Sequence, residues 1–242
     1  MAAGSYAKSR PAYAREAIGM LKDQVATGPV LDLAAGTGIL TGQMLRARRE
    51  VCAVEPLQQM RDQFRLSLPG VPLAAGTAEA IPFRAGVFAG VVVAQAFHWF
   101  DARLALGEIA RVLVDGGTMA ILFNVRDESV GWVRELTDLM EARSGGRPYS
   151  DQRERSWESV VSDFGRFVLT ASARFDNPVP SSPSAVLDRV GSTSFVAMMD
   201  DAARESLMAE VSELIASAPE TAGRSRFEYP HTTELRCWAL EN

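Results

Sequence analysis

Most of the recognisable chemistry in this 242-residue chain sits in a glycine-rich turn and a carboxylate downstream of it. Ala34-Ala35-Gly36-Thr37-Gly38 follows the apolar run Val30-Leu31-Asp32-Leu33 and opens a helical pattern. Glycine has no Cβ, so backbone in such a turn can approach a ligand closely. The turn also falls at the carboxyl end of a strand-like run, where open α/β sheets bind their ligands. Glu55 ends the next strand-like run, 23 residues after Asp32. A carboxylate there can accept two hydrogen bonds from a ribose diol and would repel a 2′-phosphate. Together these residues read as a site for an adenosine-containing ligand.

The spacing then excludes one class of such ligands. The dinucleotide fingerprint G-x-G-x-x-G/A ends in a small residue that lets the helix pack tightly. Counted from Gly36, that position is Thr41; counted from Ala34, it is Ile39. Neither register fits NAD or FAD.

A second cluster lies at the end of the valine-rich run Val87 to Ala94. His98 is flanked there by Phe97 and Trp99. Imidazole titrates near neutral pH and suits a general base. The competing reading, which the sequence favours, is an orienting residue packed beside Trp99. Phe97 and Trp99 read equally well as pocket lining or as core. Arg126 is a candidate partner for a carboxylate, with Arg189, Ser192 and Ser194 weaker candidates for substrate contact. His231 reads as structural.

The elements that position these residues follow from periodicity. Short β-branched runs alternate with helical patterns from Pro29 to Asn124, as βαβ units do. Strands are expected at Val30–Ala34, Glu50–Val54, Val71–Ala74, Val87–Ala94 and Thr118–Asn124. Helices are expected at Thr37–Arg48, Leu57–Leu68 and Arg103–Leu113, the last ended by Asp115-Gly116-Gly117. A right-handed doubly wound α/β sheet is the natural packing. Beyond Asn124 the texture changes. Glu128–Arg143, Ser184–Val190 and Ala202–Ser217 look helical, Ser144–Pro148 is a loop, and Phe164–Phe175 and Thr232–Leu240 look like strands. One domain is expected. Residues 29–125 form its ligand-binding core, about 126–227 a partly inserted cover on the substrate side, and 228–242 the final strand.

Composition bounds the remaining classes. The chain is 47% hydrophobic and 23% charged, as soluble globular domains are. Its net charge of −5, without a basic stripe, disfavours nucleic acid as a partner. Cys52 and Cys237 form no C-x-x-C pattern and read as small core residues. Arg46, Arg48 and Arg49 read as a solvated helix end. No apolar run is long enough to span a bilayer, and the N-terminal residues lack a secretory pattern. A cytoplasmic protein without membrane or metal partners is expected, as a monomer or homodimer.

The motifs resemble those of a known family. Val30 to Gly38 resembles the first motif of class I S-adenosylmethionine (SAM)-dependent methyltransferases, with Ala34 where the family usually has glycine. Val54-Glu55-Pro56 resembles their ribose-binding acidic motif. Gly76-Thr77-Ala78-Glu79-Ala80-Ile81-Pro82-Phe83 resembles the adenine-side loop, with Thr77 where aspartate is common. Ala94-Gln95-Ala96-Phe97-His98-Trp99-Phe100-Asp101, Tyr6 to Tyr13 and Asn124 to Glu128 resemble motifs of a type 11 subgroup that includes trans-aconitate methyltransferase-like enzymes. The likeness covers about residues 5 to 135. It implies a seven-stranded, mostly parallel, Rossmann-like sheet with a helical cover. It also implies S-adenosyl-L-methionine as cofactor, held by Arg10, Asp32, Ala34, Gly36, Thr37, Gly38, Glu55, Pro56, Thr77, Ala78, Glu79, Ala94 and Phe97. His98, Tyr6 and Trp99 are the implied catalytic candidates, and residues 1–25 the implied lid. The function implied is methylation of an oxygen or nitrogen of a small-molecule substrate. A non-catalytic SAM-binding or protein-interaction member and an NAD-dependent oxidoreductase are the alternatives.

Overall fold

The computed structural model describes residues 11–144 and 157–241. The chain divides into two compact units, the first comprising residues 11–124, 157–175 and 233–241 and the second residues 125–144 and 176–232.

The first unit is built on a seven-stranded sheet of order β3-β2-β1-β4-β5-β9-β6. Its strands are β1 (Val30–Leu33), β2 (Val51–Val54), β3 (Leu73–Ala74), β4 (Phe88–Ala94), β5 (Leu113–Arg126), β6 (Phe167–Asp176) and β9 (His231–Leu240). The pairs β1–β2, β1–β4, β2–β3 and β4–β5 are parallel, with Leu33 opposite both Val54 and Val93. This is the doubly wound architecture expected from the alternating pattern. β1 is buried along its whole length and β4 up to Val93, which is why both read as unbroken apolar runs.

Among the described residues, five α-helices belong to this unit: α1 (Arg15–Gln24), α2 (Ile39–Arg46), α3 (Gln58–Ser67), α4 (Ala102–Val112) and α6 (Trp157–Phe164). α1 is a departure from the expected N-terminal lid. Ala17, Ile18 and Leu21 recur at helical spacing and are buried, and Ile18 and Leu21 join Leu40, Met44 and Val92 in one core cluster. Tyr13, Ala14 and the buried face of α1 are therefore part of the core. The stretch expected to be strand from Phe164 instead ends α6 at Phe164 and starts β6 at Phe167. Asp115-Gly116-Gly117 does not directly end α4, which stops at Val112. It forms an excursion within β5: Phe88 pairs with Leu113 but Gly90 with Thr118, and Gly116 has φ +70°. Cys237 is buried, and burial pushes its thiol up to about 12; Cys52 is only half-buried.

The second unit packs α5 (Gly131–Arg143), α7 (Pro183–Gly191), α8 (Ser194–Ala197) and α9 (Asp201–Ser217) with an antiparallel pair of β7 (Val179–Ser181) and β8 (Phe227–Tyr229). Its core contains Trp132, Leu136, Val186, Leu207, Val211 and Tyr229. Local chemistry sets the helix starts. Ser182 Oγ accepts the Ala185 amide with Pro183 following, and Asp200 accepts the Ala203 amide at 2.8 Å. The short strand β7 carries Pro180 and has no readable alternation in sequence. Among the described residues no helix is long and apolar enough to cross a membrane.

Candidate active site

The carboxyl ends of β1, β2 and β4 lie side by side in the sheet, and the candidate residues extend from them. After β1, positive φ recurs at Ala34 (59°), Gly36 (57°) and Gly38 (88°). This turns the chain from strand into α2 within a few residues.

The two glycines do different work. A Cβ on Gly36 would meet no atom within 4 Å, so its side of the loop faces open space. A Cβ on Gly38 would fall 2.6 Å from Leu68 Cδ1 and 2.9 Å from Phe64 Cδ2. Gly38 is thus a packing glycine that lets α2 start against α3. Ala34 adopts the same left-handed backbone with a Cβ, a conformation that costs an L-residue roughly 1–2 kcal/mol.

Asp32 lies beneath the turn and is buried. It accepts the Thr41 hydroxyl at 2.5 Å and also a bond from the Thr41 backbone. Gly38, the residue preceding α2, has no side chain to cap the helix, and the strand-borne carboxylate takes the amide in its place. Burial is the main reason the Asp32 carboxyl titrates at about 6 instead of 3.8. The fully buried Thr41 explains the failed dinucleotide spacing: its hydroxyl is the partner of Asp32.

Glu55 is buried where β2 ends. Its Oε2 accepts the Gly36 amide at 2.9 Å and its Oε1 the Leu57 amide at 2.8 Å. One carboxylate therefore fixes the glycine turn and the entry to α3 together. Each oxygen keeps a further lone pair, so the group can still accept hydrogen bonds from a diol. Pro56 beside it is exposed. Sequence reasoning missed Arg61, whose Nη1 donates to the Glu55 carbonyl at 2.9 Å and the Pro56 carbonyl at 2.6 Å. Its signal was present: an arginine three residues before buried Phe64, on the buried face of α3.

In the third loop Thr77 is exposed, Ala78 buried and Glu79 half-buried. Glu79 accepts the Asp101 amide at 3.0 Å, so it ties this loop to the start of α4. A Cβ on Gly76 would meet Pro82 at 2.7 Å. Arg111, also missed, donates to the Ile81 and Phe83 carbonyls at 2.9 and 2.8 Å while paired with Glu108. Glu108 in turn accepts the Ile81 amide, and Arg111 beside it holds its carboxyl below the usual range.

After β4, Ala94 is half-buried and Gln95 takes φ +58°, its side chain donating to the Asn124 carbonyl at 2.9 Å. Phe97–Trp99 forms one helical turn. Phe97 is buried core, whereas His98 is exposed and Trp99 is 78% exposed. The His98 ring lies 4.7 Å from Trp99 and 5.9 Å from Phe123, centroid to centroid. Tyr6 and Arg10 lie outside the described residues.

The arrangement suits SAM. Glu55 offers unused lone pairs, the Gly36 side of the turn is open, and Thr37 sits half-exposed on the same turn. Comparison with known proteins agrees. Residues 31–121 match a family model described as a methyltransferase domain. Uncharacterized methyltransferases of Mycobacterium bovis and Mycobacterium tuberculosis are 35% identical over 232 residues, spanning 96% of this chain and 91% of each relative. The chain belongs to the class I SAM-dependent methyltransferases. A type II methyltransferase structure from Anaeromyxobacter dehalogenans shares the fold of this methyltransferase, with TM-score 0.69 and 22% identity over 96% of this chain and 97% of that one. A Bacillus halodurans methyltransferase structure aligns with TM-score 0.61 at 19% identity, over 93% and 99% of the two chains. S-adenosyl-L-methionine is the cofactor, and it supplies an activated methyl group on a sulfonium.

Proposed function

We propose that this methyltransferase acts in the cytoplasm and moves the methyl group of SAM to an oxygen or nitrogen of a small molecule. The observation that carries the reading is the pairing of a buried cofactor frame with an exposed aromatic turn. Glu55 and Gly36 are locked to each other, while His98 and Trp99 stand exposed at the end of the neighbouring strand. The net charge of −5 gives no electrostatic footprint for a nucleic-acid acceptor.

Methyl transfer from a sulfonium is an in-line displacement that asks for little covalent work by the protein. Orientation of the two reactants can supply up to roughly 7–11 kcal/mol of the barrier. The residues of this chain accordingly hold and orient. Glu55 binds the ribose hydroxyls, the turn from Ala34 to Gly38 cradles the cofactor, and Thr77, Ala78 and Glu79 line the adenine side. His98 orients the acceptor, its ring held by Trp99 and Phe123, and Trp99 supplies an apolar surface for it.

The test is a methyl-transfer screen with labelled SAM against small carboxylic acids, phenols and amines. Turnover of members of one of these classes supports the reading. SAM binding without turnover of any of them favours a non-catalytic, SAM-binding role.

A further inference from the structure

The second unit holds a polar cluster that the methyl-transfer frame does not use. His231 is 2% exposed at the start of β9, and its Nδ1 lies 2.9 Å from the Tyr229 carbonyl. That carbonyl can only accept, so Nδ1 carries the proton and neutral His231 presents a bare acceptor at Nε2. Nε2 is buried and has no hydrogen-bond partner among the described residues. The same holds for Nε1 of Trp132, which is also 2% exposed. Both rings pack on Tyr229, with centroids 4.5 Å away for His231 and 5.0 Å for Trp132. The Arg189 guanidinium, from α7, lies 5.7 Å from the centre of the Tyr229 ring. Arg126, at the end of β5, acts electrostatically on His231 together with Arg189.

We infer that Arg126, Arg189, Trp132 and His231 form a binding site for a small oxyanion, a carboxylate or phosphate group, which takes up one proton with it at His231 Nε2. A buried donor and a buried acceptor without partners are costly, and a ligand that satisfies both removes that cost. Two guanidiniums make the ligand an anion and not a cation or a neutral group. Trp132 Nε1–H and the guanidiniums donate directly. Neutral His231 has no proton at Nε2 to give, so full engagement brings a proton from solvent onto that atom. In the free protein, burial first, and then Arg189 and Arg126, push His231 down to about 4. A bound anion offsets both positive charges and draws the titration back upward. Among the described residues, the charged groups acting on the ring are these two arginines, with the Tyr229 carbonyl the favourable contact. This site stands independently of the methyl acceptor's identity.

The experiment is a proton NMR titration of the full-length protein. The chain has two histidines, so the His98→Gln variant assigns the ring resonances of His231. Citrate and inorganic phosphate are added separately, against sodium chloride at matched ionic strength. The expected result is a saturable shift of the His231 resonances and a rise of its midpoint by about one pH unit or more, with a dissociation constant below about 1 mM. Which anion acts distinguishes a carboxylate from a phosphate site. Arg189→Gln and Arg126→Gln should each weaken the binding about tenfold, as loss of roughly 1.4 kcal/mol requires. The inference is overturned if neither anion moves the His231 midpoint, if chloride moves it equally, or if both arginine variants bind as the parent does. SAM titration of the same samples reads the cofactor site separately.

Discussion

The Glu55 carboxylate accepts the Gly36 amide at 2.9 Å, so the loop after β1 and the loop after β2 are one structural unit. With its second oxygen on Leu57, Glu55 is both a frame element and the ribose acceptor.

Loss of this carboxylate should therefore cost twice. Glu55→Ala leaves two backbone amides unpaired and removes the diol acceptor. We expect SAM affinity to fall by at least about tenfold and stability by about 1–3 kcal/mol. Calorimetric titration and urea denaturation measure the two effects. Unchanged affinity would refute the ribose assignment.

Much of this frame was legible in the sequence because its signals are local. The glycine turn, Glu55 and the valine-rich β4 lie on short segments whose spacing and hydrophobicity the sheet dictates directly. Arg61 and Arg111 were not legible, since an arginine that caps loop carbonyls looks in sequence like any helix arginine. α1 was missed because its buried face of Ala17, Ile18 and Leu21 is narrow and sits among charged residues. In the second unit, the antiparallel β7–β8 pair joins segments far apart in the chain, and no local pattern announces that.

The turn also makes a prediction about order of stability. Ala34, Gly36 and Gly38 share positive φ but differ in surroundings. Ala34→Gly should be neutral to about 1 kcal/mol stabilising, because relief of the left-handed strain competes with greater freedom of the unfolded chain. Gly36→Ala should cost about 1 kcal/mol from backbone alone. Gly38→Ala should cost more, roughly 2–4 kcal/mol, since its methyl also collides with Phe64 and Leu68. Denaturant midpoints for the three variants test the order; a Gly38 variant milder than the Gly36 one would contradict it.

Two buried groups pull the pH dependence of stability in opposite directions. Asp32 is raised to about 6, so the folded state holds its proton more tightly than the unfolded chain. Its contribution is present below pH 3.8 and lost as pH rises through about 6. His231 is lowered to about 4 from 6.5, so the unfolded state binds the extra proton. Its contribution is present above pH 6.5 and lost as pH falls through about 4. Asp32→Asn should make stability rise more steeply than in the parent between these limits. His231→Gln should make it rise less steeply. Urea midpoints measured across that range decide; two variants that both track the parent slope would be inconsistent with the assignment.

His98 is exposed and held by aromatic contacts, which suits an orienting role. His98→Gln should keep the fold and lower kcat by less than about tenfold. An essential general base would account for about 10²–10⁴-fold, and its loss would remove the acidic limb of the pH–rate profile. A loss in that larger range would reassign His98 as the base.

The central claim is that the turn from Ala34 to Gly38, with Glu55, is a SAM site. Calorimetric titration of the unaltered protein with SAM, S-adenosylhomocysteine and NAD tests it most directly. The account predicts saturable binding of the two sulfur ligands and none of NAD. Binding of NAD alone would contradict it.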